Sequence, residues 1–193
     1  KSDEGLGMFG DDTDGLFLSQ VGYGNRKWYL SALYAYKHGE DGSTPAMGYS
    51  TPAATSYDEG LHAFGLRGYW TPEESGIIPT ISAGIDVGFS DADAAGSTEE
   101  VFGWMVGLNW KNAFIDGNKL GIAFGSYSSY ATEVKGDNDP NDGNFAIEGY
   151  YDFQVTDNIT VTPAVFYIQN ADGDSSVDGS DTFGGLVKTT FKF

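Results

Sequence analysis

Five charged side chains lie well inside stretches of the sequence that alternate between apolar and other residues. In each stretch, the charge falls on the less apolar of the two faces that the alternation creates. Placed around a water-filled space, such side chains would line it and set its preference for ions. Alternatively, they neutralise one another along the same surface. The five residues are Arg67, Asp86, Glu148, Asp152 and Lys188; Lys119 and Lys192, nearer the ends of their stretches, are weaker candidates.

Acidic clusters between these stretches offer a second kind of chemistry. Their carboxylates are hard oxygen ligands of the type that Ca²⁺ and Mg²⁺ prefer. One cluster approximates the spacing of a calcium loop, although its glycine, Gly143, comes one place late. Solvated turn residues are the alternative interpretation, and the chain requires no other cofactor. The candidate ligands are Asp137, Asp139 and Asp142 in one cluster and Asp172 and Asp174 in the other.

The residue types available argue against catalysis and against a nucleic-acid partner. The chain has no cysteine and two histidines, His38 and His62, with no recognisable arrangement of serine, histidine and acid. The residues therefore predict no enzyme. The formal net charge is −18, so the chain would be repelled by a polyanion rather than bind it.

Nine β-strands are predicted to position these side chains. The clearest signal covers residues 77–89, where isoleucine, proline, alanine, valine and phenylalanine alternate with smaller or polar residues. Such period-two alternation indicates a strand rather than a helix. The predicted strands cover residues 15–23, 27–37, 60–70, 77–89, 99–110, 119–130, 144–155, 159–169 and 182–193.

Low overall hydropathy is compatible with a membrane protein built from strands. Hydrophobic residues make up 40% of the chain and the mean hydropathy is −0.30, so no stretch resembles a membrane-spanning helix of about 20 apolar residues. A spanning strand needs only about 10 residues of alternating character. The 28 glycines, 13 phenylalanines, 12 tyrosines and 4 tryptophans agree with that alternative.

The connections between predicted strands alternate between short and long. Most of the 28 acidic residues fall in or beside the long ones, so one rim of the molecule would be strongly anionic. Outer-membrane β-barrels have short periplasmic turns and longer extracellular loops. This two-sided segregation favours an antiparallel up-and-down transmembrane β-barrel. A soluble β-sandwich that binds carbohydrate explains the alternation but not the segregation.

Aromatic residues near the predicted strand ends would anchor such a barrel at the membrane surfaces. Tryptophan and tyrosine are enriched where membrane meets water, and barrels carry an aromatic girdle at each interface. A carbohydrate-stacking site is the alternative use of these rings. The interfacial candidates are Trp28, Trp70, Trp104, Trp110, Phe191 and Phe193.

The strand count predicts that the chain is part of a larger barrel. The last strand runs from a long loop to the short-turn side, so with nine strands the first must begin on the long-loop side. Bacterial barrels of one chain have an even number of strands. We therefore expect residues 1–193 to form the C-terminal part of a single barrel domain of 16 to 18 strands, with the N-terminal part missing. A small ten-stranded barrel with a structural or adhesive role is the alternative.

Two segments resemble a known family. Residues 150–167, with Ile-Thr-Val-Thr-Pro after a tight turn, and residues 183–193, Phe-Gly-Gly-Leu-Val-Lys-Thr-Thr-Phe-Lys-Phe, are similar to cyanobacterial outer-membrane porins of the OprB-like, carbohydrate-selective group. The resemblance implies a passive diffusion channel, commonly a homotrimer, for small hydrophilic solutes or inorganic ions; some members are labelled iron-uptake porins. It implies partners in outer-membrane lipid and lipopolysaccharide. Divalent ions would bridge the acidic loops to lipopolysaccharide.

Overall fold

Every regular element that the structure describes is a β-strand. The computed structural model describes residues 15–38, 60–73, 76–90, 95–127, 129–136, 143–171 and 181–193. In these ranges, no helix is long and apolar enough to cross a membrane. The strands are β1 (Gly15–Gly24), β2 (Trp28–His38), β3 (Leu61–Trp70), β4 (Thr80–Ser90), β5 (Thr98–Lys111), β6 (Lys119–Gly125), β7 (Tyr130–Val134), β8 (Phe145–Thr156), β9 (Ile159–Gln169) and β10 (Thr182–Phe191).

The strands form one antiparallel, up-and-down sheet. Its order is β1-β2-β3-β4-β5-β6-β8-β9-β10, so each strand pairs with the next strand of this path. The short strand β7 lies off the path and pairs with β5. Within the described residues, β1 and β10 form the two edges and do not pair with each other. The sheet is therefore open, as expected for part of a barrel wall, and the all-β, up-and-down prediction is confirmed.

The predicted sixth strand is interrupted. The sequence predicts one strand over residues 119–130, whereas the structure divides this stretch into β6 and β7. Gly125 pairs with Met105, and Tyr130 pairs with Phe102. The chain therefore advances by five residues from β6 to β7 while β5 advances by three. The two extra residues lie in a polar run where the alternation fails, and the Ser126 hydroxyl accepts a hydrogen bond from Trp104 N–H there.

The turn that joins β1 and β2 is held by one side chain. The Asn25 carboxamide oxygen accepts hydrogen bonds from the backbone N–H groups of Lys27, at 2.7 Å, and Trp28, at 3.2 Å. The Asn25 N–H donates to the Trp28 carbonyl at 2.7 Å. Asparagine is favoured in tight turns because its side chain bonds nearby backbone in this way. The turn therefore sets the register of the first hairpin.

Strand register divides the side chains into two faces. Residues directly opposite each other on neighbouring strands point to the same side of a sheet. We call one side the apolar face and the other the polar face. One register row of the apolar face contains Trp28, Trp70, Ile81, Leu108, Ile122, Gly149, Val165 and Gly185; one row of the polar face contains Ser31, Arg67, Gly84, Met105, Gly125, Ala146, Ile168 and Thr182.

Burial is reversed relative to a soluble protein. On the polar face, Ser31, Asp86 and Thr162 are 4%, 5% and 6% exposed, respectively. On the apolar face, Val21 and Val187 are 73% and 70% exposed. In the described part of the chain, strands contact only their neighbours in the sheet, so no second layer covers the apolar face. This rules out a sandwich built from these strands, because a sandwich buries its apolar face between two sheets. Further exposed apolar-face residues are Phe17, Leu30, Phe64, Leu66, Ile85, Val165, Phe183 and Phe191.

Candidate functional site: the polar face of the sheet

An ion pair joins β3 and β4 on the polar face. The Arg67 Nη2 atom lies 3.0 Å from Asp86 Oδ1, and the two side chains are 21% and 6% exposed. Asp86 lies between Gly65 and Gly103 in its register row. A methyl group at Gly65 would lie 2.6 Å from the Asp86 carboxylate. The glycine therefore leaves the space in which this carboxylate lies against the wall.

Polar contacts continue from this pair towards β1. Ser31 stands directly opposite Arg67, and the Gln20 amide donates a hydrogen bond to the Ser31 hydroxyl at 3.2 Å. Further along the sheet, the Ser82 hydroxyl donates to the Gly107 carbonyl at 3.4 Å. The polar face therefore carries hydroxyl, amide and charged groups across β1 to β5, between buried apolar residues such as Ala35, Ala63 and Val101. Such groups can replace part of the hydration shell of a polar solute.

Aromatic rings lie flat against the polar face where the neighbouring strand has glycine. The Tyr150 ring covers Gly121, which is its register partner on β6. The Asn109 amide donates a hydrogen bond to the Tyr150 hydroxyl at 2.8 Å and fixes the ring from the other side. The Phe166 ring lies over Gly184 in the same manner. Rings held in this way leave the space in front of the sheet open.

A row of polar side chains crosses five strands near the short-turn end. Lys111 pairs with Lys119, and Lys119 pairs with Asp152. The Thr162 hydroxyl donates a hydrogen bond to Asp152 at 2.6 Å, and Thr162 pairs with Lys188. The row thus carries three ammonium groups and one carboxylate. It places Asp152 and Lys188 on either side of a threonine.

Glu148 borders a shallow hollow of about 460 Å³ in the polar face. Small residues form its floor, because Ala123, Gly125 and Ala146 carry little or no side chain. Phe166 lies beside it, as the register partner of Glu148. Glu148 is exposed, so its carboxylate can meet a solute or an ion from solution.

The register places all five predicted charged residues on the polar face. It brings Arg67 and Asp86 into contact, which is the mutual neutralisation that the sequence left open. Asp152 and Lys188 share a row, while Glu148 stands apart. Among the described residues, no group of three histidine, cysteine or acidic side chains is placed to hold a metal. The predicted ligands Asp137, Asp139, Asp142, Asp172 and Asp174 lie outside the described residues.

The predicted interfacial aromatics that lie within strands share the apolar face, on the side opposite the charged residues. Trp28 and Trp70 are register partners beside the first short turn, and Trp110 lies one residue from the end of β5. Phe191 ends β10, and Phe193 lies two residues beyond the end of the strand. Trp104 differs, because it lies in the middle of β5 opposite Ile85. Its ring centroid lies 6.1 Å from that of Phe124 and 6.5 Å from that of Phe145, so Trp104 belongs to an aromatic cluster on the apolar face.

Some contacts in the structure could not be predicted from the sequence. Asn109 and Tyr150 are separated by 41 residues, and only the register of the three strands β5, β6 and β8 brings them together. Tyr34 and His62 lie on the apolar face near the long-loop end, where the Tyr34 hydroxyl and His62 Nδ1 are 2.9 Å apart. Alternation predicts which face each residue occupies. It carries no signal for which residues of distant strands meet.

An up-and-down antiparallel sheet, apolar and exposed on one face and polar on the other, defines a wall of a transmembrane β-barrel. Its apolar face suits lipid and its polar face suits water. The family model described as carbohydrate-selective porin, OprB family, matches residues 47–193. The chain belongs to this family of outer-membrane porins, a family of channels rather than enzymes. The sequence-based resemblance to this family is thus confirmed.

A curated relative agrees with the cyanobacterial resemblance. The uncharacterised protein alr4550 of the cyanobacterium Nostoc sp. is 28% identical over 200 residues, which cover 97% of this chain and 33% of the relative. The chain therefore spans about a third of the length of the curated relative it matches. No solved structure matches the chain.

Proposed function

We propose that the chain forms a section of the wall of an outer-membrane channel for the passive diffusion of small hydrophilic solutes, both carbohydrates and inorganic ions. The observation that carries the proposal is the reversed burial of the sheet. Leu30, Ile85 and Val187 face outward and exposed, while Ser31, Asp86 and Thr162 line the other face. A wall of this kind needs lipid on one side and water on the other.

The character of the polar face favours diffusion over tight binding. Its best-defined charges, Arg67 and Asp86, neutralise each other, and the Tyr150 ring lies against the wall over Gly121. A channel conducts when its lining attracts a solute enough to admit it but weakly enough to release it. A mixed lining of hydroxyl, amide and paired charges meets that condition for neutral sugars as well as for ions.

The proposal includes the partners of the wall. The apolar face would contact outer-membrane lipid, with Trp28, Trp70 and Trp110 at the short-turn interface. The acidic loops would contact lipopolysaccharide through Ca²⁺ or Mg²⁺, which would offset part of the repulsion that the net charge of −18 implies. Three copies would assemble side by side, as the family resemblance implies.

Single-channel recording in a planar bilayer tests the channel, with the native protein purified from outer membranes. We expect stable conductance steps, and we expect vesicles that contain the protein to swell in small sugars faster than in larger oligosaccharides. Protein unfolded by heat is the control for leakage. Correctly folded protein that gave neither steps nor swelling would contradict the proposal and favour a structural role for the barrel.

A further inference from the structure

Three lysines of the polar face lie in one register row near the short-turn end, and we call them the lysine row: Lys111, Lys119 and Lys188. Lys111 and Lys119 are direct partners on β5 and β6, so their Cβ atoms are about 4.5–5.5 Å apart. Lys188 stands three strands further along the same row. All three side chains are exposed.

The lysine row has little compensation from carboxylates. Among the described residues, none of its three ammonium groups makes an ion pair within 4 Å. Asp152 is the one acid in the row; it stands directly opposite Lys119 and accepts a hydrogen bond from Thr162. Like charges directly opposite each other destabilise a sheet. One carboxylate among three ammonium groups leaves the row with a net positive charge, and a local arrangement that costs stability indicates a functional role.

The placement of these lysines also runs against the composition of the chain. The chain carries 28 acidic and 10 basic residues, and its long loops are acidic. Yet six basic residues lie at the short-turn end of the sheet, where the described acids are Glu73, Asp116, Asp152 and Asp157. Of these, Lys27 is paired with Glu73, outside the strands. The six are Arg26, Lys27, Lys111, Lys119, Lys188 and Lys192.

We propose that the lysine row attracts small anions, such as chloride, inorganic phosphate and small carboxylates, and raises their permeation through the short-turn half of the pore. The proposal rests on the channel function proposed above and adds a preferred class of solute to it. An anion between Lys111 and Lys119 relieves their repulsion and is held by charge-assisted hydrogen bonds from ammonium groups.

The reversal potential of the native protein under a potassium chloride gradient tests this proposal. The variant K111Q/K119Q/K188Q should lower the ratio of anion to cation permeability roughly two- to threefold at 0.1 M salt. The difference should shrink at 1 M salt, where the Debye length is only about 3 Å. The variant K111R/K119R/K188R keeps the charges and should keep the ratio. Lys135→Gln removes one charge at the long-loop end, beside Glu99, and is the positional control.

The outcomes separate the two proposals. Conductance steps of native size with an unchanged permeability ratio in the glutamine variant would overturn the role of the lysine row and leave the channel intact. An absence of steps from the native protein would overturn the channel and, with it, this inference. If the triple variant does not fold, the single variant Lys119→Gln gives the same comparison, with a smaller shift towards cations supporting the proposal and no shift overturning it.

Discussion

The guanidinium group of Arg67 and the carboxylate of Asp86 lie 3.0 Å apart across β3 and β4, in the middle of the polar face. The two residues are diagonal neighbours, because Arg67 pairs with Gly84 and Asp86 with Gly65. Because both partners are glycines, the Arg67 and Asp86 side chains have room to lie along the sheet. The two charges therefore cancel at a largely covered position of the polar face.

Removing one member of this pair should destabilise the barrel. Asp86→Ala leaves the Arg67 guanidinium without its carboxylate in a largely covered position, and we expect a loss of about 1–3 kcal/mol in the free energy of unfolding. Urea unfolding in lipid vesicles, followed by tryptophan fluorescence, measures it. Glu148→Ala removes an exposed carboxylate of the same face and should change stability by less than about 0.5 kcal/mol. Equal losses in the two variants would contradict the structural role of the pair.

A methyl group at Gly121 should displace the Tyr150 ring. A Cβ atom there would enter the space of that ring, so Gly121→Ala forces it away from the wall and strains its hydrogen bond with Asn109. We expect a loss of about 1–3 kcal/mol in stability and a smaller single-channel conductance, because the ring then projects into the lumen. In Gly149→Ala, on the apolar face, the methyl group meets open space and both quantities should stay unchanged. A Gly121→Ala protein with native conductance would contradict this account of the ring.

Two adjacent positions in the middle of β10 should respond differently to a positive charge. Val187 is on the apolar face and 70% exposed, whereas Leu186 is on the polar face and 50% exposed. Val187→Lys places an ammonium group in lipid and should cost about 2–4 kcal/mol. Leu186→Lys keeps its charge in water and should cost less than about 1 kcal/mol. Unfolding in vesicles compares the two, and the reverse order would mean that the faces are assigned the wrong way round.

The sequence predicts which face of the sheet each residue occupies. It predicts less well where a strand is interrupted and which residues of different strands meet. Alternation placed Arg67, Asp86 and Lys188 on one face because the side-chain period of a strand is two whatever its partners are. It could not pair Arg67 with Asp86, since pairing depends on the register between strands. The interruption at Ser126 has only a weak signal, which is the loss of alternation in a polar run.

The start of β4 shows how a pattern can extend beyond its strand. Alternation predicts a strand from residue 77, but β4 begins at Thr80. The Ile77 carbonyl accepts a hydrogen bond from the Trp110 indole at 2.7 Å instead of joining the sheet, and its side chain is 94% exposed. Pro79, which has no backbone N–H to donate to a neighbouring strand, directly precedes the first residue of β4. The local sequence therefore carries a signal for this boundary, and the contact with Trp110, 33 positions away, agrees with it.

The most direct test of the account is the effect of an impermeant, negatively charged thiol reagent on the current through single-cysteine variants of β4. The chain has no cysteine, so each introduced thiol is unique within it. Ser82 is on the polar face and Ala83 on the apolar face, one residue apart. We predict that the reagent reduces the conductance of the Ser82→Cys channel and leaves that of the Ala83→Cys channel unchanged. Equal effects at both positions, or an effect at Ala83→Cys alone, would contradict the assignment of the polar face to the pore.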